Sequence, residues 1–207
     1  IKHIIGLMHA KKGKVAVNGK TFQENPDTYR NQMAYIPEVP ILYDELTLYE
    51  HLRLTAMAYN ISEADFEKRL PRLLKAFRME KRLKWIPTNF SKGTQQKVII
   101  MCSFLKPTPL KLVNATFVGL DPLGIKSYLQ LMDGMKADGS GVLMSTHILA
   151  TAERNCDRFI ILHEGQIRAI GTLDQLRKDF HMPDATLDDF YLDLKKEDSP
   201  VLFACLF

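Results

Sequence analysis

Three short runs carry residue types able to work on an anion. They are Phe90-Ser91-Lys92-Gly93-Thr94-Gln95-Gln96-Lys97, Gly119-Leu120-Asp121-Pro122 and Ser145-Thr146-His147. In the first, a serine hydroxyl and glycine amides open a helix. A helix N-terminus presents free N–H groups and a positive dipole end, so the run suits a phosphate-sized anion, and Lys92 adds charge. In the second, Asp121 precedes a proline, the usual chemistry of a helix start. In the third, a histidine follows an apolar strand-like run. Each has an ordinary reading alone: Ser91 as a plain N-cap, Asp121 as another, His147 as a solvated or structural imidazole.

Two other runs bear on the same chemistry. Ala34-Tyr35-Ile36-Pro37-Glu38 ends on a carboxylate, which by itself reads as a solvated residue after a strand. Leu112-Val113-Asn114-Ala115-Thr116 ends a strand with an amide followed by an alanine. Asn114 offers an oxygen without charge, and Ala115 cannot take up a proton. The run also matches a glycosylation sequon, a match without meaning at the end of an interior strand. No G-x-x-x-x-G-K-[ST] run occurs; Gly6 and Gly13 lack the lysine spacing.

The elements that must position these residues follow from hydrophobic periodicity. Residues 1–8 read as the end of a buried helix. Val15-Ala16-Val17 is a short strand closed by the hairpin signal Asn18-Gly19. A helix over 27–32 leads to a strand over 33–36, stopped by Pro37. Thr47 with Glu50 makes a capping box for a helix to about Tyr59. Ser62 with Asp65 starts another towards Met79, kinked or interrupted at Pro71. The stretch 42–85 shows no strand pattern. Further helices are expected over 91–105, 122–137, 148–155 and, capped by Thr172, 172–180. Strands are expected over 110–113 and 142–145, and a hairpin over 159–169. This alternation implies an α/β fold on a mostly parallel sheet.

Composition narrows the class. The 207 residues are 46% hydrophobic and 25% charged, ordinary for a globular domain. A net charge of +4 is compatible with nucleic acid or a membrane surface and argues for neither; without a basic stripe, no nucleic acid partner is expected. Cys102, Cys156 and Cys205 are scattered without metal spacing and suit a reducing compartment. The apolar tail Val201-Leu202-Phe203-Ala204-Cys205-Leu206-Phe207 follows a charged run and reads as a docked end or an artefact, not an anchor.

In their order and spacing the three runs resemble the signature loop, D-loop and switch histidine of an ABC-type ATPase. The Ser-Lys-Gly run and the Ile-Pro-Glu switch resemble the Ecs-type branch of bacterial ABC exporters, and the likeness extends from Ile1 to about Leu194. The resemblance implies a single P-loop NTPase-like domain over 1–207, α/β with a mostly parallel sheet and a helical subdomain near 42–90. The start of the chain then corresponds to the helix after the family's phosphate-gripping loop, a truncation that leaves out the first strands. Ser91, Gly93, Gln95 and Asp121 would bind nucleotide. His147 and Glu38 would act as switch residues, Glu38 in place of the usual glutamine. Asn114 would be a weak metal ligand, and Ala115 stands where the family's catalytic carboxylate belongs. ATP and Mg are the cofactors implied. The partners implied are a membrane-spanning transporter subunit and a second cassette, at the cytoplasmic face of a membrane. Little hydrolysis is expected. The alternatives are a non-catalytic subunit lending its signature loop to a partner cassette, and an inert gene fragment.

Overall fold

The computed structural model describes residues 1–114, 117, 119–195 and 201–206. Residues 1–8 form turns, not the helix expected. Ile5 N donates to the Ile1 carbonyl, but Leu7 N and Met8 N both reach back to the Lys2 carbonyl. Gly6, at φ +78°, turns the chain out of the helical region. Strands β1 (Ala16–Val17) and β2 (Lys20–Thr21) make the expected hairpin. Helix α1 (Pro26–Asn31), capped by Asn25, leads into β3 (Met33–Ile36).

Residues 42–90 hold α2 (Leu48–Ala58), α3 (Glu63–Phe77) and two short 3-10 turns. Thr47 and Glu50 form the reciprocal capping box. Pro71 lies inside α3 without ending it. These helices share the main core: Leu48, Leu52, Phe66, Leu74 and Phe77 join one buried cluster with Val98, Val113 and Met144. The core then continues through α4 (Lys92–Leu105), β4 (Leu110–Asn114), α5 (Pro122–Ala137) and β5 (Gly141–Ser145). It is completed by α6 (Leu149–Asn155), β6 (Arg158–His163), β7 (Gln166–Gly171) and α7 (Leu173–Asp179). Helix α8 (Leu187–Leu194) was not anticipated, although Thr186 and Asp189 form a capping box before Leu187, Phe190 and Leu194.

The tail is a docked end, one of the two readings expected, and it docks as a strand. Residues 201–206 form a strand, β8, inside the sheet, whose order is β3-β4-β5-β8-β6-β7. Strands β3, β4 and β5 pair in parallel, as expected. Strand β8 runs antiparallel to both β5 and β6, and β7 is antiparallel to β6. The α/β class holds, and the sheet is mixed where a mostly parallel one was expected. Alternation along β8 buries Phe203 and Cys205 and leaves Leu202 half exposed. The cysteines need a correction too. Cys156 and Cys205, 49 residues apart in sequence, stand with Cα atoms 5.9 Å apart and form a disulfide. Sequence spacing carries no information about neighbours across a sheet.

The register of β8 makes a stability prediction. Phe203→Ala should cost about 3–5 kcal/mol in urea unfolding, as expected for a buried aromatic. Leu202→Ala, one residue away on the solvent side, should cost under about 0.5 kcal/mol. Equal losses would contradict this register.

Candidate functional site

Strand ends bring one group of residues together. Ile36 pairs with Val113 and Asn114 with Ser145, so β3, β4 and β5 end level. Glu38, Asn114 and His147 therefore emerge from one edge of the sheet, the carboxyl end where α/β folds hold ligands. Tyr35 shares a hydrogen bond with Asn114, and burial pushes its phenol above the ordinary range. Glu38 is exposed, and its charge acts on Tyr35 in the same direction. His147 is exposed between anchored neighbours. Thr146 N donates to the Phe203 carbonyl at 3.3 Å, and Ile148 N donates to Thr146 Oγ1 at 3.0 Å. The imidazole borders a cavity of about 340 Å³ with Asp188 and Tyr191 of α8.

A second group gathers at the N-termini of α4 and α5. Ser91 takes the N-cap position, but its hydroxyl makes no cap hydrogen bond; it lies 3.0 Å from Thr94 Oγ1. The first helical bond runs from Gln95 N to the Ser91 carbonyl. The amides of Lys92, Gly93 and Thr94 therefore have no partner within the helix. Gly93 is buried against the run Gly119-Leu120-Asp121. A Cβ there would stand 1.7 Å from the Gly119 carbonyl oxygen, so no side chain fits without moving Gly119, itself at φ +86°. Asp121 caps α5 by accepting from Gly124 N and pairs with Lys97 Nζ at 2.9 Å. Of the two readings of Asp121, the helix cap is the one seen here, with an ion pair to Lys97 beside it. Lys97 first, then the Gly124 amide, holds its carboxyl below the usual range.

Gln95 is placed differently from the expectation. Its amide donates to the carbonyls of Pro87 and Thr88, behind the loop. Counting from Phe90, Thr94 is the fifth residue of the loop, and Thr94 faces Ser91. The sequence also offered no role for Gln96, Lys97 or Tyr35. Gln96 is buried and donates to the Pro37 carbonyl at 3.1 Å, tying α4 to the turn that carries Glu38. Its signal was a polar residue on the buried face, spaced 93–96–100. Among the described residues no hydrogen bond joins Ser91 or Asp121 to His147. The two groups are separate faces joined through α4.

Ala115 and Thr116 lie outside the described residues, so the expectations at these positions rest on sequence. Among the described residues no cluster of three or more His, Cys, Asp or Glu side chains could hold a metal ion. Asn114, engaged with Tyr35, supplies one neutral oxygen. That donor set suits Mg only where phosphate oxygens complete the coordination. The open amides of α4 fit a phosphate directly.

A family profile described as ABC transporter matches residues 1–114. The chain is 62% identical over 199 residues to the ABC-type transporter ATP-binding protein EcsA of Bacillus subtilis (strain 168), covering 96% of this chain and 81% of that protein. It is similar to a solved ATP-binding subunit of an ABC transporter, with a TM-score of 0.91 and 55% identity over 94% of this chain and 81% of that one. The fold is also that of the ATP-binding cassette MJ0796, solved as a dimer bound to ADP and Pi. That likeness has a TM-score of 0.72 at 23% identity, over 83% of this chain and 78% of that one.

The Lys97–Asp121 pair predicts a pH dependence. Asp121 has a depressed folded pKa. The pair therefore contributes stability above the unfolded value of about 3.9, and that contribution is lost as pH falls through the folded value. Asp121 is half exposed, so the contribution is under about 1 kcal/mol. Lys97→Met should lower the denaturant midpoint at neutral pH, and its gap from wild type should close in acid. A gap unchanged in acid would assign the loss to packing.

Proposed function

Because this chain belongs to the ABC transporter family, as an ATP-binding subunit, we propose that its α4 face completes a nucleotide site shared with a second cassette. The carrying observation is the uncommitted N-terminus of α4. Ser91 sits at the cap without capping, and three open amides stand beside it. Ser91, Gly93 and Thr94 would receive the terminal phosphate of ATP held by the partner. Lys97 and Asp121 would fix the loop's height against α5. Glu38, Asn114 and His147 form the other face, at the strand ends, where a second nucleotide would meet this chain.

Bound Mg-ATP supplies the phosphoryl group and the metal charge; this chain's residues position and neutralise. Water activation is the weak point, because Ala115 cannot orient or deprotonate a water. Loss of a general base lowers such rates by about 10²–10⁴. The chain therefore serves as the ATP-sensing subunit of a transporter with slow turnover at its own strand-end site. A lent signature face is the form of this reading that Ser91 favours.

Carboxylate substitution tests it. In a chain carrying a strand and G-x-x-x-x-G-K-T loop ahead of residue 1, introduce Asn114→Asp and Ala115→Glu. ATPase activity should appear and fall by about 10²–10³ with Ser91→Ala or His147→Ala, as when a preorganised donor to a developing charge is removed. The loop without Ala115→Glu should give binding and little turnover. Full turnover without that carboxylate would shift water activation to Glu38.

The partner surface is the second part. Ile41, Tyr43 and Trp85 are large, apolar and 58–82% exposed; Ile41 and Tyr43 follow the turn that carries Glu38, and Trp85 lies beside the start of α2, where its carbonyl accepts from Leu48 N. Exposed apolar groups of this kind mark interaction sites, and aromatic residues dominate binding at their centres. We assign this surface to a membrane-spanning subunit, in line with the chain's own lack, among the described residues, of a helix long and apolar enough to cross a membrane. Tyr43→Ala with Trp85→Ala should abolish co-purification with that subunit while leaving the thermal midpoint within a few degrees. Undiminished co-purification would place the docking surface elsewhere.

A further inference from the structure

At the opposite end of the sheet a second cleft opens between α3 and α5. It encloses about 380 Å³. Arg69 and Arg72 of α3, Lys106 and the buried Lys111 at the start of β4 converge on it, and Asp138 is the one carboxylate in its lining. Arg69 is paired with Asp65 and also donates to the Leu105 carbonyl. Arg72 has no hydrogen-bond or ion-pair partner among the described residues. Lys106 meets the neutral side-chain oxygen of Asn31 and the face of the Tyr59 ring, and no carboxylate. Lys111 donates to the Ser103 and Lys106 carbonyls and to Thr108 Oγ1, all uncharged. Burial, with Lys106 beside it, pushes the Lys111 ammonium down to about 7. Three full cations, Arg69, Arg72 and Lys106, and a partly charged Lys111 thus share two carboxylates, and the surplus positive charge faces a cavity.

The shape of the cleft has its own cause. Gly134 lies in the last turns of α5, where glycine weakens a helix. No close contact requires it: a Cβ there would meet nothing within 4 Å. Its missing side chain leaves the cleft open beside Phe104, Leu131 and Met135. We propose that this cleft binds a phosphate monoester bearing a compact apolar substituent, with the phosphate on Arg72, Arg69 and Lys106 and the substituent against Phe104 and Met135. A bare anion would leave the apolar wall unused, and a nucleic acid strand is too large for the volume. The site is independent of the α4 face.

Phenyl phosphate is the probe, titrated into the isotopically labelled 207-residue chain and followed by amide shifts. Saturable shifts at Gln130, Gly134 and Met135 are expected, with inorganic phosphate weaker and phenol inert. Arg72→Gln, an exposed change, should weaken binding by about tenfold, the loss of one charge-assisted contact. Gly134→Leu should fill the cleft and abolish binding with helical content retained. If that variant misfolds, Arg72→Gln decides alone. Ser91→Ala should leave these shifts unchanged, which separates this site from the nucleotide face. Flotation with phosphatidylcholine vesicles containing phosphatidate distinguishes the source. Arg72-dependent flotation assigns the monoester to a lipid headgroup, and its absence beside phenyl phosphate binding assigns it to a free metabolite. No saturable shift with phenyl phosphate and no Arg72-dependent flotation, or shifts indifferent to both variants, would overturn the proposal.

Discussion

The contact of Gly93 with Gly119 sets the geometry of everything around the N-terminus of α4. Backbone meets backbone there with no room for a methyl group. Helix α4 can therefore sit low against the D-loop run, and the rest follows from that height. One turn along α4, Lys97 reaches Asp121. Asp121 is then placed to cap α5. On its buried side, Gln96 reaches Pro37 and fixes the exit from β3. A single close approach thus sets the relation of three loops that sequence leaves scattered over more than eighty residues.

These loops use groups with two duties. Asp121 is a cap, which local physics would select in any protein, and also the acceptor for a lysine of another helix. Ser91 shows the opposite case: it has the identity and the backbone of a cap and omits the bond. Where a residue satisfies its local duty, function is hard to infer from it. Where it leaves that duty undone, its free hydrogen-bonding capacity is an argument in itself.

Much of the scaffold was legible because its signals are local. The Thr47–Glu50 box, the Asn18-Gly19 turn, the stop at Pro37 and the Asp121-Pro122 start each act within four residues, and each lies where it was expected. The misses were non-local or masked by ambiguity. Residues 1–8 carry a helical pattern that Gly6 breaks. Helix α8 has a capping signal as good as that of α7 but only two turns of periodicity. The Cys156–Cys205 bond and the place of 201–206 depend on partners about fifty residues away. In the site, residue types announced Ser91, Asp121 and His147, whereas Gln96 and Lys97, in the same run, carried no role that sequence alone could assign. Gln95 was misplaced by one position, because the loop carries a threonine at its fifth place, Thr94, and the glutamine that the pattern leads one to look for follows it.

The position of β8 has a consequence for how the molecule is made. Synthesis delivers β3, β4 and β5 first, then β6 and β7, and only afterwards the strand that joins them. Until residues 201–206 arrive, the nascent chain holds two half-sheets. The facing edges of β5 and β6 have unpaired backbone groups, the kind of edge that recruits strands from other molecules. Closure must also wait for a long-range contact, which slows folding. A stall in translation shortly before residue 201 would thus release a species with nearly all of its secondary structure and a gap one strand wide, prone to pair with a neighbouring chain.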